Sequence, residues 1–202
     1  MELQRLGVKL FVENPSSLEI RSFIPIFHSW IQRQAIEGHL LIDIHDYSHV
    51  YRGPGILLVA HEGNFSMDRA EDRLGLFYYR KQPSNGSLRD HIQTIFRTAL
   101  QACRLLEEES ELEGIRFKTD EVLVVANDRL FAPNTPETFQ QLQPVFTDFF
   151  EQLFDGNTFT LHHRTDPKER FSLAVQATHS MDTQALLERA SALSAQKIEN
   201  RK

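Results

Sequence analysis

Between residues 87 and 109, Leu88, Ile92, Ile95, Phe96, Ala99, Cys103 and Leu106 recur mostly three or four apart, which predicts a long helix with one apolar face. Such a helix has to bury its stripe against another layer. The flanking segments supply one. GVKLFVEN, HLLIDIHD, GILLVAHE and LGLFYYRK read as strands before it, and IRFKTDEVLVVAND, NTFTLHHRT and RFSLAVQAT as strands after it. GNFSMDRAEDR reads as a turn-rich connection, so that an antiparallel meander of three strands precedes the helix.

Three further helices complete the pattern. Ser16 with Glu19 fits a capping box, opening a helix to about Gln34 whose stripe is Ile20, Phe23, Ile24, Phe27, Trp30 and Ile31. Thr135 as cap, with Pro136 at the first helical position, opens another to about Phe154, and residues 182 to 195 form the last. The order strand, helix, antiparallel strands, helix is thus written twice. SFIPIFHSWI also lies over QLQPVFTDFF, pairing Pro25 with Pro144 and Phe27 with Phe146 at interior helix positions where proline should kink or restart the helix. The expectation is an α+β fold, an antiparallel sheet with helices on one face, built as tandem ferredoxin-like halves over residues 1–110 and 111–196 that pack as one unit, with 197–202 a frayed tail.

Charge and cysteine content exclude several function classes. Against 22 Lys and Arg stand 28 acids, a formal charge of −6, so no general attraction to nucleic-acid phosphates is expected. EEESELE at 107 to 113 reads as a solvated helix end. The single cysteine, Cys103, excludes an intramolecular disulfide and a multi-thiolate zinc or iron–sulfur site, and its place on an apolar stripe marks a buried thiol. No stretch reaches the ~18 consecutive apolar residues of a membrane span, and no signal peptide is legible, so a cytoplasmic protein without membrane association is expected.

Chemistry-bearing side chains gather in LLIDIHDYSHV. Strand alternation puts Leu40, Ile42 and Ile44 on the helix side and Leu41, Asp43, His45 and Tyr47 on the other, a largely polar face, while Asp46 and His49 fall toward the following loop. From 56 to 62, His61 or Glu62 joins His45 according to register, and from 74 to 80 the same choice sets Tyr78 and Arg80 against Phe77 and Tyr79. Asp128 and Arg129, after the run EVLVVA, suit a turn and could also present charge to a ligand. His162 and His163 point to opposite faces and cannot chelate together.

Two readings follow. The first is a protein that binds a partner, a second copy or a small ligand on the polar sheet face, with no chemistry of its own and no cofactor. The second is a divalent-metal enzyme using His45, His49 or His61 with Asp43, Asp46 or Glu62, or an acid/base site on His45 or His61. Residues 1 to 80 resemble in topology the module of vicinal oxygen chelate enzymes, which implies ligands from its outer strands. There GVKLFVEN offers Glu13 alone and LGLFYYRK no His or acid. Duplicated ferredoxin-like halves resemble the architecture of chlorite dismutase-like haem proteins, with no matching motif at any His. LLEEESELEGIRFKTDEVLVVANDRLFAPNTPETF is similar to a bacterial family and implies no particular activity.

Overall fold

The computed structural model describes residues 3–15, 18–112 and 114–199. Ser16 of the expected capping box lies outside them, as do residues 200–202 of the expected tail. In chain order the elements are β1 Leu6–Val12, α1 Phe23–Arg33, β2 Leu41–Tyr47, β3 Gly55–Ala60, β4 Gly63–Asp68, β5 Gly75–Arg80, α2 Leu88–Glu108, β6 Phe117–Ala126, α3 Pro136–Phe154, β7 Phe159–His163, β8 Ser172–Ala177 and α4 Thr183–Glu199. The strands form one eight-stranded sheet in the order β2-β3-β4-β5-β1-β6-β8-β7, and every neighbouring pair is antiparallel. The α+β class with helices on one face holds. The first 110 residues supply five adjacent strands and the remainder three, meeting at the β1–β6 ladder.

Period-two burial explains the layers. Leu58, Phe65, Tyr78, Val8, Val124 and Leu173 are fully or almost fully buried on the helix side, in register across β3, β4, β5, β1, β6 and β8. Trp30 of α1, Phe96 of α2 and Phe149 and Phe150 of α3 close over them. Cys103 is fully buried on the α2 stripe, and burial pushes its thiol pKa well up.

Local chemistry sets the helix limits. Ser87 and Asp90 form a reciprocal capping box at the start of α2, and the Thr135 hydroxyl accepts the Thr138 N–H at the start of α3. The first helix begins later than expected, after a short 3-10 turn at Ile20–Ser22. Pro25 is therefore in the first turn of α1, where its missing N–H costs nothing, whereas Pro144 lies inside α3. The two prolines are not at equivalent positions.

The acidic run is less solvated than its composition implied. Glu107 accepts the Phe117 N–H at 3.0 Å and the Thr183 hydroxyl at 2.9 Å, and Glu109 accepts from Trp30 Nε1 at 3.0 Å and Arg33 at 2.5 Å. Toward its end the run also turns inward at Leu112, which is buried. No helix among the described residues is long and apolar enough to cross a membrane.

Candidate functional site

The residues of LLIDIHDYSHV sit on an edge strand, and a bulge changes their facing. Leu41 opposes Ala60 but Asp43 opposes Val59, so Ile42 is the extra residue. Consequently Leu41 is buried, while Leu40 and Ile42, expected against the helices, are 58% and 53% exposed. Beyond the bulge Ile44 returns to the core, and Asp46 shares its side of the sheet and pairs with Arg21 at 3.1 Å. Asp43, His45 and Tyr47 do share the face away from the helices, with Asp43 Oδ2 3.6 Å from His45 Nε2 and the His45 and Tyr47 rings 6.0 Å apart.

The remaining expected partners do not join them. β3 ends at Ala60, so His61 and Glu62 form the tight turn to β4 rather than a strand. The Glu62 carboxylate accepts the Leu40 N–H at 2.9 Å. Partial burial raises its pKa, but hydrogen bonds from main-chain N–H groups outweigh that and leave it lowered. Tyr78 faces the core: it is fully buried, its hydroxyl 2.7 Å from His39 Nε2. Arg80 shares that side, and Phe77 and Tyr79 take the open face. Asp128 builds its own turn, accepting the Phe131 and Ala132 N–H groups, and Arg129 bonds the Lys168 carbonyl. Among the described residues no three His, Cys, Asp or Glu side chains are grouped to hold a metal ion.

The concave site lies instead at the centre of the open face. Lys9 points there from the middle of β1, 4% exposed, with its ammonium 2.5 Å from Asp68 Oδ1 and 3.1 Å from the Arg73 carbonyl. Arg73 stacks 3.7 Å above the Phe11 ring and forks onto Glu121 at 2.5 and 2.6 Å. That fork raises the Arg73 pKa and lowers that of Glu121.

Two connections rise over this floor from opposite ends of the sheet. The β4–β5 connection brings Glu71 and the β7–β8 loop brings Arg164, whose guanidinium lies 2.5 Å from the Glu71 carboxylate. Asn134 anchors the loop's root by donating to the Arg164 and Asp166 carbonyls, and its own oxygen lies 2.7 Å from His163 Nε2. His163 is held between Phe139 and Phe171, and burial lowers its pKa. A cavity of about 400 Å³ results, with Phe77, Leu123 and Val125 as apolar floor beside Lys9, and Arg52, Arg170, Asp166 and Glu169 among its walls. Lys9 and Asp68 neutralise each other, as do Arg164 and Glu71. Among the described residues no carboxylate pairs with Arg52 or Arg170.

Comparison with protein-family models, curated proteins and solved structures returned no match. Function therefore has to be argued from this geometry. Sequence reasoning missed Lys9 and Asp68, although one signal was present: Lys9 is the sole charge in LGVKLFV.

Proposed function

We propose that the cradle on the open sheet face binds a small organic anion with an apolar body, held without covalent chemistry by the protein. The observation that supports this is the pair of guanidiniums, Arg52 and Arg170, neither matched by a carboxylate among the described residues, beside a floor of Phe77, Leu123 and Val125. A pocket of mostly apolar surface with a few converging polar groups is the usual form of a small-molecule site, and Arg offers carboxylate or phosphate a two-pronged contact. Asp166 and Glu169 on the same wall disfavour long polyanions, in keeping with the −6 charge of the chain. We place the activity in the cytoplasm.

Calorimetric titration with benzoate, phenyl phosphate and neutral benzamide tests the reading. The two anions should bind and benzamide should not, and Arg170→Ala should weaken both anions while leaving the fold intact. Binding of benzamide as tight as benzoate, or anion binding untouched by both Arg170→Ala and Arg52→Ala, would exclude it.

A further inference from the structure

The two edges of the sheet are finished differently. At the β2 edge the Gln34 carboxamide donates to the Leu41 carbonyl and accepts the Leu41 N–H, both at 3.1 Å. Asp43 accepts the Ile44 N–H at 2.8 Å, and the bulge at Ile42 breaks the regular spacing. The chain's own side chains thus occupy main-chain groups that another strand would need.

At the β7 edge the Thr178 N–H donates to the Thr158 carbonyl and the Arg164 N–H to the Ser172 carbonyl. The alternation of an antiparallel ladder then turns the main-chain groups of Phe159 and Leu161 away from β8. They line a groove of about 480 Å³ whose far wall is Gln143, Thr147 and Glu151, one stripe of α3. Among the described residues no hydrogen bond reaches those outward groups. Asn157, at the end of the groove, donates through Nδ2 to the His179 carbonyl, and its buried Oδ1 has no partner among the described residues.

We propose that this groove takes an extended peptide segment of another protein, added alongside β7 as a ninth strand, with a Lys or Arg side chain set against Glu151. The stripe from Gln143 to Glu151 is about 12 Å long at 1.5 Å per residue, which matches an extended segment of roughly four residues. Among the described residues Glu151 is the one charged side chain lining the groove, and no cation pairs with it. Charge selects against a second copy as occupant. FTLHH brings no Lys or Arg, and its own α3 would bring another Glu151 toward the first. A strand supplied by a basic segment meets both needs, since main-chain bonds give affinity and the cation gives direction.

The test is amide NMR on the full chain, titrated with an end-capped heptapeptide of alternating valine and lysine, with the valine–glutamate peptide as control. The lysine peptide should shift the Phe159 and Leu161 amides saturably. Glu151→Lys should weaken it by about tenfold and favour the glutamate peptide. Leu161→Pro, which removes an outward N–H and leaves the β8 ladder intact, should abolish binding. Unmoved amides at millimolar peptide, equal binding of the two peptides, or shifts of these amides on simple dilution, which would assign the edge to a second copy, each overturn the proposal.

Discussion

The ammonium of Lys9 and the carboxylate of Asp68 meet at 2.5 Å with side chains only 5% and 8% exposed, joining β1 to the end of β4 across β5. A buried pair of this kind contributes little net stability but is costly to halve. Lys9→Met leaves the Asp68 charge without its counter-ion, and should lower the unfolding free energy by about 3–5 kcal/mol. Adding Asp68→Leu should recover most of that loss, short of the Ala70 N–H that Asp68 also accepts. Urea titration of the two variants checks both.

Arg164 and Glu71 form a different kind of bond, between side chains 31% and 58% exposed. Arg164→Ala should therefore change global stability by less than about 1 kcal/mol. Its effect should be local, because the pair holds the β7–β8 loop against the β4–β5 connection. Hydrogen exchange over residues 164–171 should quicken, and affinity for an anion in the cradle should fall, with the thermal midpoint almost unchanged.

Legibility in the sequence followed the strength of periodic signals. Among the described residues each helix and seven of the eight strands carry apolar spacing at the helical or strand period, since burial on one face demands it. β4 carries the weakest signal, because Asn64, Ser66 and Asp68 alternate with Phe65 and Met67 and the polar members resemble loop chemistry. The inserted Ile42 could not be foreseen, and it reversed the expected facing of Leu40 and Leu41. The cradle was illegible for another reason: Lys9, Asp68 and Arg164 are distant in sequence and meet only through strand order and loop path. Asp43, which drew attention as a ligand, completes the β2 edge.

Gly7 makes room for the cradle floor. A Cβ there would lie 2.7 Å from Phe77 Cζ and 2.9 Å from the Tyr78 carbonyl oxygen, closer than packed atoms accept. Gly7→Ala should destabilise the fold by about 1–3 kcal/mol and displace the Phe77 ring. Phe77→Leu in the same chain relieves the ring contact but not the Tyr78 carbonyl, so recovery should be partial. Chemical denaturation of the single and double variants reads this out, and ligand titration reports the shifted floor.

His39 and Tyr78 give the fold a pH range. Nδ1 of His39 lies 3.2 Å from the Glu37 carbonyl and Nε2 2.7 Å from the Tyr78 hydroxyl, so the neutral ring with its proton on Nδ1 satisfies both, Tyr78 donating. Burial holds the His39 pKa below its ordinary 6.5, and burial pushes that of Tyr78 from 10.0 up to about 12. Below 6.5 the unfolded chain takes up a proton that the folded one refuses, so stability is full above that value and falls with acidification. Above 10 the unfolded tyrosine loses a proton that the folded one keeps, so stability falls again as pH rises toward 12. His163 is depressed in the same direction, so His39→Gln should flatten only part of the acid limb. Thermal midpoints across the range, with the His39 ring titration followed by NMR, decide it: a midpoint for that ring above 6.5 would reverse the predicted slope.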